Sequence, residues 1–489
     1  MHLMQLQCWS GNWSKIANVS FRLLDDQVSP KKKGKNMITL LQTAERLRKG
    51  LTTPNELIES ALAAINNSAH VFITVLEQRA FDDAKASTRR WQQGAPLSPF
   101  DGIPYAVKDL LDVVGSRTTA GSITRIDAPI AVEDAHVIAA LSALGMIPLG
   151  KTNLTEFAYS GLGLNPHFGT PTCDVPVGES RVPGGSSSGS AIAVQRGIVS
   201  CSIGTDTSGS IRIPAAFNAL VGYKASTGRY NMTGVHPLAI TLDSLGPLAH
   251  TVADCVALDA AMRGMQDVAI EAADLSRLRF VIDDGVMSDP ALQPAVRHNL
   301  VLMMEQLRAA GAEVERRTVL AVARTRELIA REGWLGAIEA WRLLGTIVEG
   351  PQGHSMDRRV LHRLRAAKEI EPASESRIRH LRTELMTAME HELDGAILVL
   401  PTVKHVAPPM ASLSEDDELF ARVNLETLSL TMIGSLLDMP GVAIPSGKDS
   451  IGLATSTLFA TTEGRDDALL GACLAIEAGL RPPCLPATR

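Results

Sequence analysis

The stretch from Val182 to Lys224 constrains this chain more than any other part of it. Two clusters of small residues, Gly184-Gly185-Ser186-Ser187-Ser188-Gly189-Ser190 and Gly204-Thr205-Asp206-Thr207-Ser208-Gly209-Ser210, flank a helical pattern and a short apolar run. The helical pattern is Ser190–Arg196, stopped by Gly197, and Ile198–Ile203 reads as a buried strand. Glycine at this density lets backbone amides converge without Cβ obstruction, and hydroxyls among such amides suit a nucleophile beside an oxyanion site. Three readings compete: loops without chemistry, a phosphate cradle, and a serine hydrolase. Neither cluster ends in the Gly-Lys-Ser/Thr that a phosphate loop requires. Gly185 to Gly189 matches the nucleophile-elbow spacing G-x-S-x-G, but that elbow follows a buried strand. Here Gly178–Pro183 is polar and ends in proline, so the elbow is rejected.

The rest of the chain supplies the frame. Ile38, Leu41, Ala44 and Leu47 recur at helical spacing before Gly50. Thr53-Pro54-Asn55-Glu56 is a capping box with proline at the first helical position. Tyr105-Ala106-Val107 reads as a strand delivering Lys108 to its carboxyl end. Further on, Ala135–Leu144 and Ala295–Ala310 are helical, and Met146–Leu149, Phe280–Ile282 and Ala396–Leu400 are strand-like. Helices alternating with short apolar strands imply a mostly parallel or mixed sheet covered on both faces. Residues 315–395 differ, being charged and helical, with arginine-rich runs at Arg358–Arg365 and Arg377–Arg382. A solvated helical face is the simplest source of that charge. The alternative is a cap over a substrate pocket with one or two arginines turned inward.

Composition narrows the function classes. The 489 residues are 45% hydrophobic and 20% charged with a net charge of −6, a globular profile without the basic excess of a nucleic-acid binder. No apolar run approaches the roughly 18–20 residues of a membrane-spanning helix, so no membrane partner is expected. Six scattered cysteines without a CxxC pair point to reduced thiols in a cytoplasmic protein rather than to disulfides or a zinc site. Residues 1–36 lack the pattern of a signal peptide and are expected to be a disordered extension, with the folded body beginning at Met37.

Beyond these patterns, the Gly184–Lys224 block resembles the amidase signature family. So do Gly102–Asp109, Thr118–Ser122, Leu149–Asn153 and Leu242–Pro247, and the resemblance extends over roughly Met37 to Pro482. It implies an α/β fold: one amidase-signature domain over 37–485, with a central mixed sheet of about eleven strands covered by helices on both faces and 315–395 as a variable helical cap. It further implies a Ser–Ser–Lys triad, with Ser210 as nucleophile, Ser186 as the bridging serine after a cis peptide at Gly185, and Lys108 as base. The two serines stand 24 residues apart, as the family's do.

Each implied role makes physical sense. A serine hydroxyl is a poor nucleophile until its proton is removed. Lys108 must be neutral to take that proton through Ser186, so its pKa has to fall from about 10.4 to near 7, roughly 4 kcal/mol that burial can supply. The resemblance places the oxyanion hole on the backbone N–H groups of Thr207, Ser208, Gly209 and Ser210. It makes Asp206 and Arg212 a buried pair that fixes the loop, gives Ser187 a loop or leaving-group contact, and puts Gly121 and Ser122 near the substrate. Two positions depart from the family pattern: Ser208, where glycine or alanine is preferred, and Ser188, where glycine is commoner. A serine at 208 would be strained if that residue needed positive φ. His167, His236 and His250 are expected to be structural.

The resulting expectation is an amide hydrolase that needs no cofactor or metal. It would cut a small-molecule carbon–nitrogen bond through an acyl-enzyme and release carboxylate plus ammonia or amine. One rival is the glutaminase subunit of a tRNA-dependent amidotransferase; another is a non-catalytic scaffold of the same family. A homodimer is the default for a soluble enzyme.

Overall fold

A computed structural model describes residues 38–174, 178–266 and 269–480. The expected extension at 1–36 and the start at Met37 lie outside the described residues. Eleven strands form one sheet: β1 Phe72–Val75, β2 Pro104–Lys108, β3 Ile147–Thr152, β4 Cys201–Asp206, β5 Val221–Lys224, β6 Ser244–Ala249, β7 Arg279–Asp283, β8 Glu313–Arg317, β9 Ile397–Pro401, β10 Gly441–Lys448 and β11 Ala454–Ala460. Their order is β1-β3-β2-β4-β6-β5-β10-β11-β9-β7-β8. Two parallel sets, β3-β2-β4 and β9-β7-β8, are joined by an antiparallel centre, so the sheet is mixed as expected.

Alternation across the pleat explains why β2 is buried throughout. Tyr105 and Val107 join one hydrophobic core with Cys201, Ile203 and Val252, while Ala106 joins another with Ile147, Leu149 and Ile192. A strand buried on both faces needs helices on both, and Val252–Met262 and Ser188–Gln195 supply them. Because β2 and β4 run parallel with Val107 opposite Ile203, the carboxyl ends of both strands open on the same edge. That edge of an open sheet is where ligands characteristically bind.

The first helix starts later than its apolar spacing suggests. Thr39 caps Leu40–Arg48 in a capping box, so Leu40, Thr43, Ala44 and Leu47 face inward and Ile38 stays exposed. The capping box at Thr53 opens Pro54–Asn66 as read from the sequence. Residues 315–317 complete β8, and four helices follow: Leu320–Glu332, Leu335–Glu349, Arg358–Lys368 and Pro372–Leu393. Four described cysteines, Cys173, Cys201, Cys255 and Cys473, are buried free thiols.

Candidate active site

Three lysines end strands of this sheet fully out of solvent, or stand one residue from the end: Lys108, Lys151 and Lys224. Lys151 Nζ sits 2.7 Å from a carboxylate oxygen of Asp109, and Lys224 Nζ 3.7 Å from one of Asp438. Lys108 has no carboxylate within ion-pair distance among the described residues. Its Nζ donates instead to the hydroxyls of Ser186 and Thr205, both at 2.7 Å, and more weakly to the Thr205 carbonyl at 3.4 Å. Burial drives its pKa down to about 7, with Asp206 and Asp243 opposing the fall from a distance. A buried amine surrounded by hydroxyls is thus poised to lose its proton near neutrality.

Ser186 follows a cis peptide at Gly185. A Cβ on Gly185 would lie 2.6 Å from the backbone nitrogen of Gly163 and 2.9 Å from the Ser160 carbonyl, so only glycine lets the loop lie this close. The Ser187 N–H donates to the Ser210 carbonyl at 3.2 Å, which joins the two Gly/Ser clusters, and the Ser187 hydroxyl reaches the Thr205 carbonyl at 3.3 Å. Ser210 itself lines a cavity of about 250 Å³, and its hydroxyl makes no hydrogen bond among the described residues.

Asp206, at the end of β4, organises the turn that carries Ser210. It accepts from the N–H of Gly209 at 2.6 Å and of Ile211 at 3.1 Å, and from Arg212 Nε and Nη2 at 2.9 and 2.8 Å. Burial alone would raise this carboxyl, but the Arg212 guanidinium, Lys224 and the backbone donors bring it down to about 2. Arg212 is held in turn by the Thr431 carbonyl and the Ser435 hydroxyl. The expected Asp206–Arg212 pair is therefore present and bidentate.

The Gly209 amide, expected among the oxyanion donors, is instead committed to Asp206. The amides of Thr207, Ser208 and Ser210 keep no partner among the described residues, and all three residues line the cavity. Positive φ falls on Gly209, at 132°, and not on Ser208, so serine at 208 carries no backbone strain. Ser188 begins the helix Ser188–Gln195 without conflict.

The cavity lies between this turn and the helical segment. Trp334, Ala337, Arg363 and Ile370 line it from one side, and Leu428 and Met432 from the other. Gly121 and Ser122 are not among the lining residues. The Gly121 carbonyl accepts from Asn165, and the buried Ser122 hydroxyl donates to Glu156 at 2.6 Å. They brace the loop after β2 rather than face the cavity. The three histidines also lie outside the lining; burial pushes His236 down to about 4 and lowers His167 and His250.

The profile of the Amidase family matches residues 56–470. The chain belongs to that family. Membership places it among hydrolases that act on amides. It is similar along nearly its whole length to the 2-amino-5-chloromuconic acid deaminase of Comamonas testosteroni, with 29% identity over 90% of this chain and 96% of that protein. It is 40% identical to the A-type subunit of the glutamyl-tRNA(Gln) amidotransferase of Cupriavidus necator, a match covering 47% of this chain and 45% of that protein. Among solved structures, a crystal structure described as an amidase superposes with a TM-score of 0.80 at 29% identity, covering 91% of this chain and all of the other.

Against this amidase frame, two site residues were not singled out from the sequence. Thr205 sits inside the second Gly/Ser cluster, yet nothing local marks its hydroxyl as the partner of a lysine 97 positions earlier. Asp243 accepts from the Thr207 hydroxyl at 2.6 Å and from the N–H groups of Leu238 and Ala239, and its burial raises it to about 6. Among the described residues no helix is long and apolar enough to cross a membrane.

Proposed function

We propose that this amidase hydrolyses the carbon–nitrogen bond of a small linear amide through Ser210, Ser186 and Lys108. The observation that carries the reading is the buried Lys108 amine, bonded at 2.7 Å to Ser186 and free of carboxylate contact among the described residues. In the neutral form its lone pair takes the Ser186 proton while Ser186 takes that of Ser210. Substrate binding closes the Ser210–Ser186 contact, since such catalytic hydrogen bonds tighten in the Michaelis complex. The Ser210 oxygen then bonds to the amide carbon. The resulting oxyanion meets the N–H groups of Thr207, Ser208 and Ser210, which keep no partner among the described residues and are each worth about 3–4 kcal/mol of barrier. Collapse breaks the C–N bond, and the departing amine takes a proton returned from Lys108 through Ser186. Water then adds to the acyl-enzyme by the same relay, releasing a carboxylate and restoring Ser210.

A fluorophosphonate probe tests this directly. We expect labelling of Ser210 that is lost in Ser210→Ala; an unlabelled, folded wild-type protein would overturn the triad and favour a scaffold. The match to an amidotransferase component supports a second reading, a glutaminase that hands ammonia to a partner. Ammonia release from glutamine that appears only when partner proteins are added would establish it.

A further inference from the structure

The helix Arg358–Lys368 carries five Arg and Lys side chains, and four of them have an evident place. Arg358 pairs with Asp417 at 3.0 Å, Arg359 with Asp357 at 2.7 Å and Lys368 with Glu349, while Arg365 is exposed. Arg363 is different. It is half-buried and has no carboxylate within ion-pair distance among the described residues. It is also the one charged side chain among the described residues that line the cavity above Ser210. One guanidinium nitrogen donates to the Tyr159 carbonyl, and the group lies 4.6 Å from the centre of the Tyr159 ring. Those contacts fix its orientation while leaving most of its five N–H donors unspent. Burial pulls its pKa down, and the opposing interaction comes from Tyr159 alone. Apart from Tyr159 and the hydroxyl residues Ser160, Thr207, Ser208 and Ser210, the rest of the lining, including Trp334, Ile370, Leu428 and Met432, is apolar. A guanidinium in such a wall without a counter-ion is costly unless an anion completes it.

We propose that Arg363 binds a carboxylate of the substrate, so that the amide cut at Ser210 belongs to a molecule whose other end is an acid. This deepens the amide-hydrolase reading and rests on it. The planar fork of arginine matches a carboxylate bidentately, and the apolar wall between Arg363 and the turn suits a short carbon spacer.

The test measures binding separately from turnover. Succinamate, glutaramate and adipamate, together with their methyl esters, are titrated calorimetrically into Ser210→Ala protein. At least one acid should bind roughly 30-fold or more tightly than its ester, the scale expected of a desolvated charge pair. Arg363→Met in the same background should collapse that ratio towards one, and Arg363→Lys should restore part of it. Circular dichroism shows whether each variant is folded, and the acid-to-ester ratio of the Ser210→Ala protein stands without either. Esters binding as tightly as acids, no binding of any acid, or a ratio unmoved in folded Arg363→Met would overturn the proposal. Acid-selective binding with no hydrolysis by wild-type protein would overturn the triad and leave Arg363's role standing.

Discussion

The strand ends and turns behind the cavity lining, here called the floor, and the helical segment above it both hold many charges but treat them in opposite ways. On the floor, Lys108, Asp206, Arg212, Lys224 and Asp243 are all buried, and each has fixed partners. In the helical segment, Arg342 and Glu375, Arg358 and Asp417, and Arg377 and Glu371 pair at or near the surface. Buried charge is expensive, and its protonation answers strongly to neighbours, which is what a base near neutrality requires. Exposed pairs are screened and contribute little. Substitutions that touch each side should therefore differ sharply in what they change.

The largest effect belongs to Ser210→Ala. Turnover of any amide substrate should fall by roughly 10⁵–10⁶-fold, as loss of a serine nucleophile does elsewhere. The fold should be unchanged, because the Ser210 hydroxyl makes no hydrogen bond among the described residues. Steady-state assays with a denaturation curve check both halves.

Lys108→Met comes next. With Lys108 as the proposed general base, its loss should cost about 10²–10⁴-fold. In wild type, kcat/KM should rise with pH through about 7 as Lys108 deprotonates, and the variant should lose that limb. The sign for stability is opposite to that of an ion pair. Lys108's folded pKa lies below its ordinary 10.5, so between about 7 and 10.5 the unfolded chain binds more protons and wild-type stability climbs with pH. Lys108→Met should therefore be the more stable protein near pH 7.5, by on the order of 2–4 kcal/mol after its lost hydrogen bonds are counted. That advantage should shrink towards pH 10. Urea melts at several pH values measure it; a less stable variant at every pH would mean that Lys108 is not buried as a neutral amine.

What the sequence revealed and what it hid divide along the same line. The Gly/Ser clusters were legible because tight backbone packing demands particular small residues at fixed spacing, the strand before Lys108 because it is a short apolar run, and the Asp206–Arg212 pair only through the family resemblance. Gly185 and Gly209 are such positions: a Cβ would collide with Gly163 at one and with Thr431 at the other. Thr205 and Asp243 were hidden because their roles come from contacts made far along the chain, and of the one or two inward arginines the sequence allowed, only the structure shows that Arg363 is one. No periodicity distinguishes Arg363 from Arg358 or Arg365 on the same helix. Edge strand β8, Glu-Val-Glu-Arg-Arg, was hidden for another reason: it is half exposed and lacks an apolar face.

Asp206→Ala probes the floor without touching the proposed triad. It strands the Arg212 guanidinium and releases the Gly209 and Ile211 amides, so a loss of about 3–5 kcal/mol is expected in chemical denaturation. Asp206's folded pKa is depressed from 3.8 to about 2. Its stabilisation is therefore complete above about pH 4 and lost as pH falls towards 2. The variant should show a flatter stability profile across that acid window than wild type.

The smallest effect tests the other side of the contrast. Arg358 and Asp417 form a pair at 3.0 Å with side chains 62% and 48% exposed. Arg358→Ala should cost no more than about 0.5–1 kcal/mol, and roughly 0.5 M salt should erase the difference. The residue lies on the same helix as Arg363, so it also asks whether the helical segment transmits strain to the cavity. If the pair is merely a screened surface contact, acid-to-ester selectivity in the Ser210→Ala background should match in the presence and absence of Arg358. A loss of several kcal/mol, or a change in that selectivity, would show that the segment's surface charge positions its inward arginine, and the sharp division between floor and cover would have to be given up.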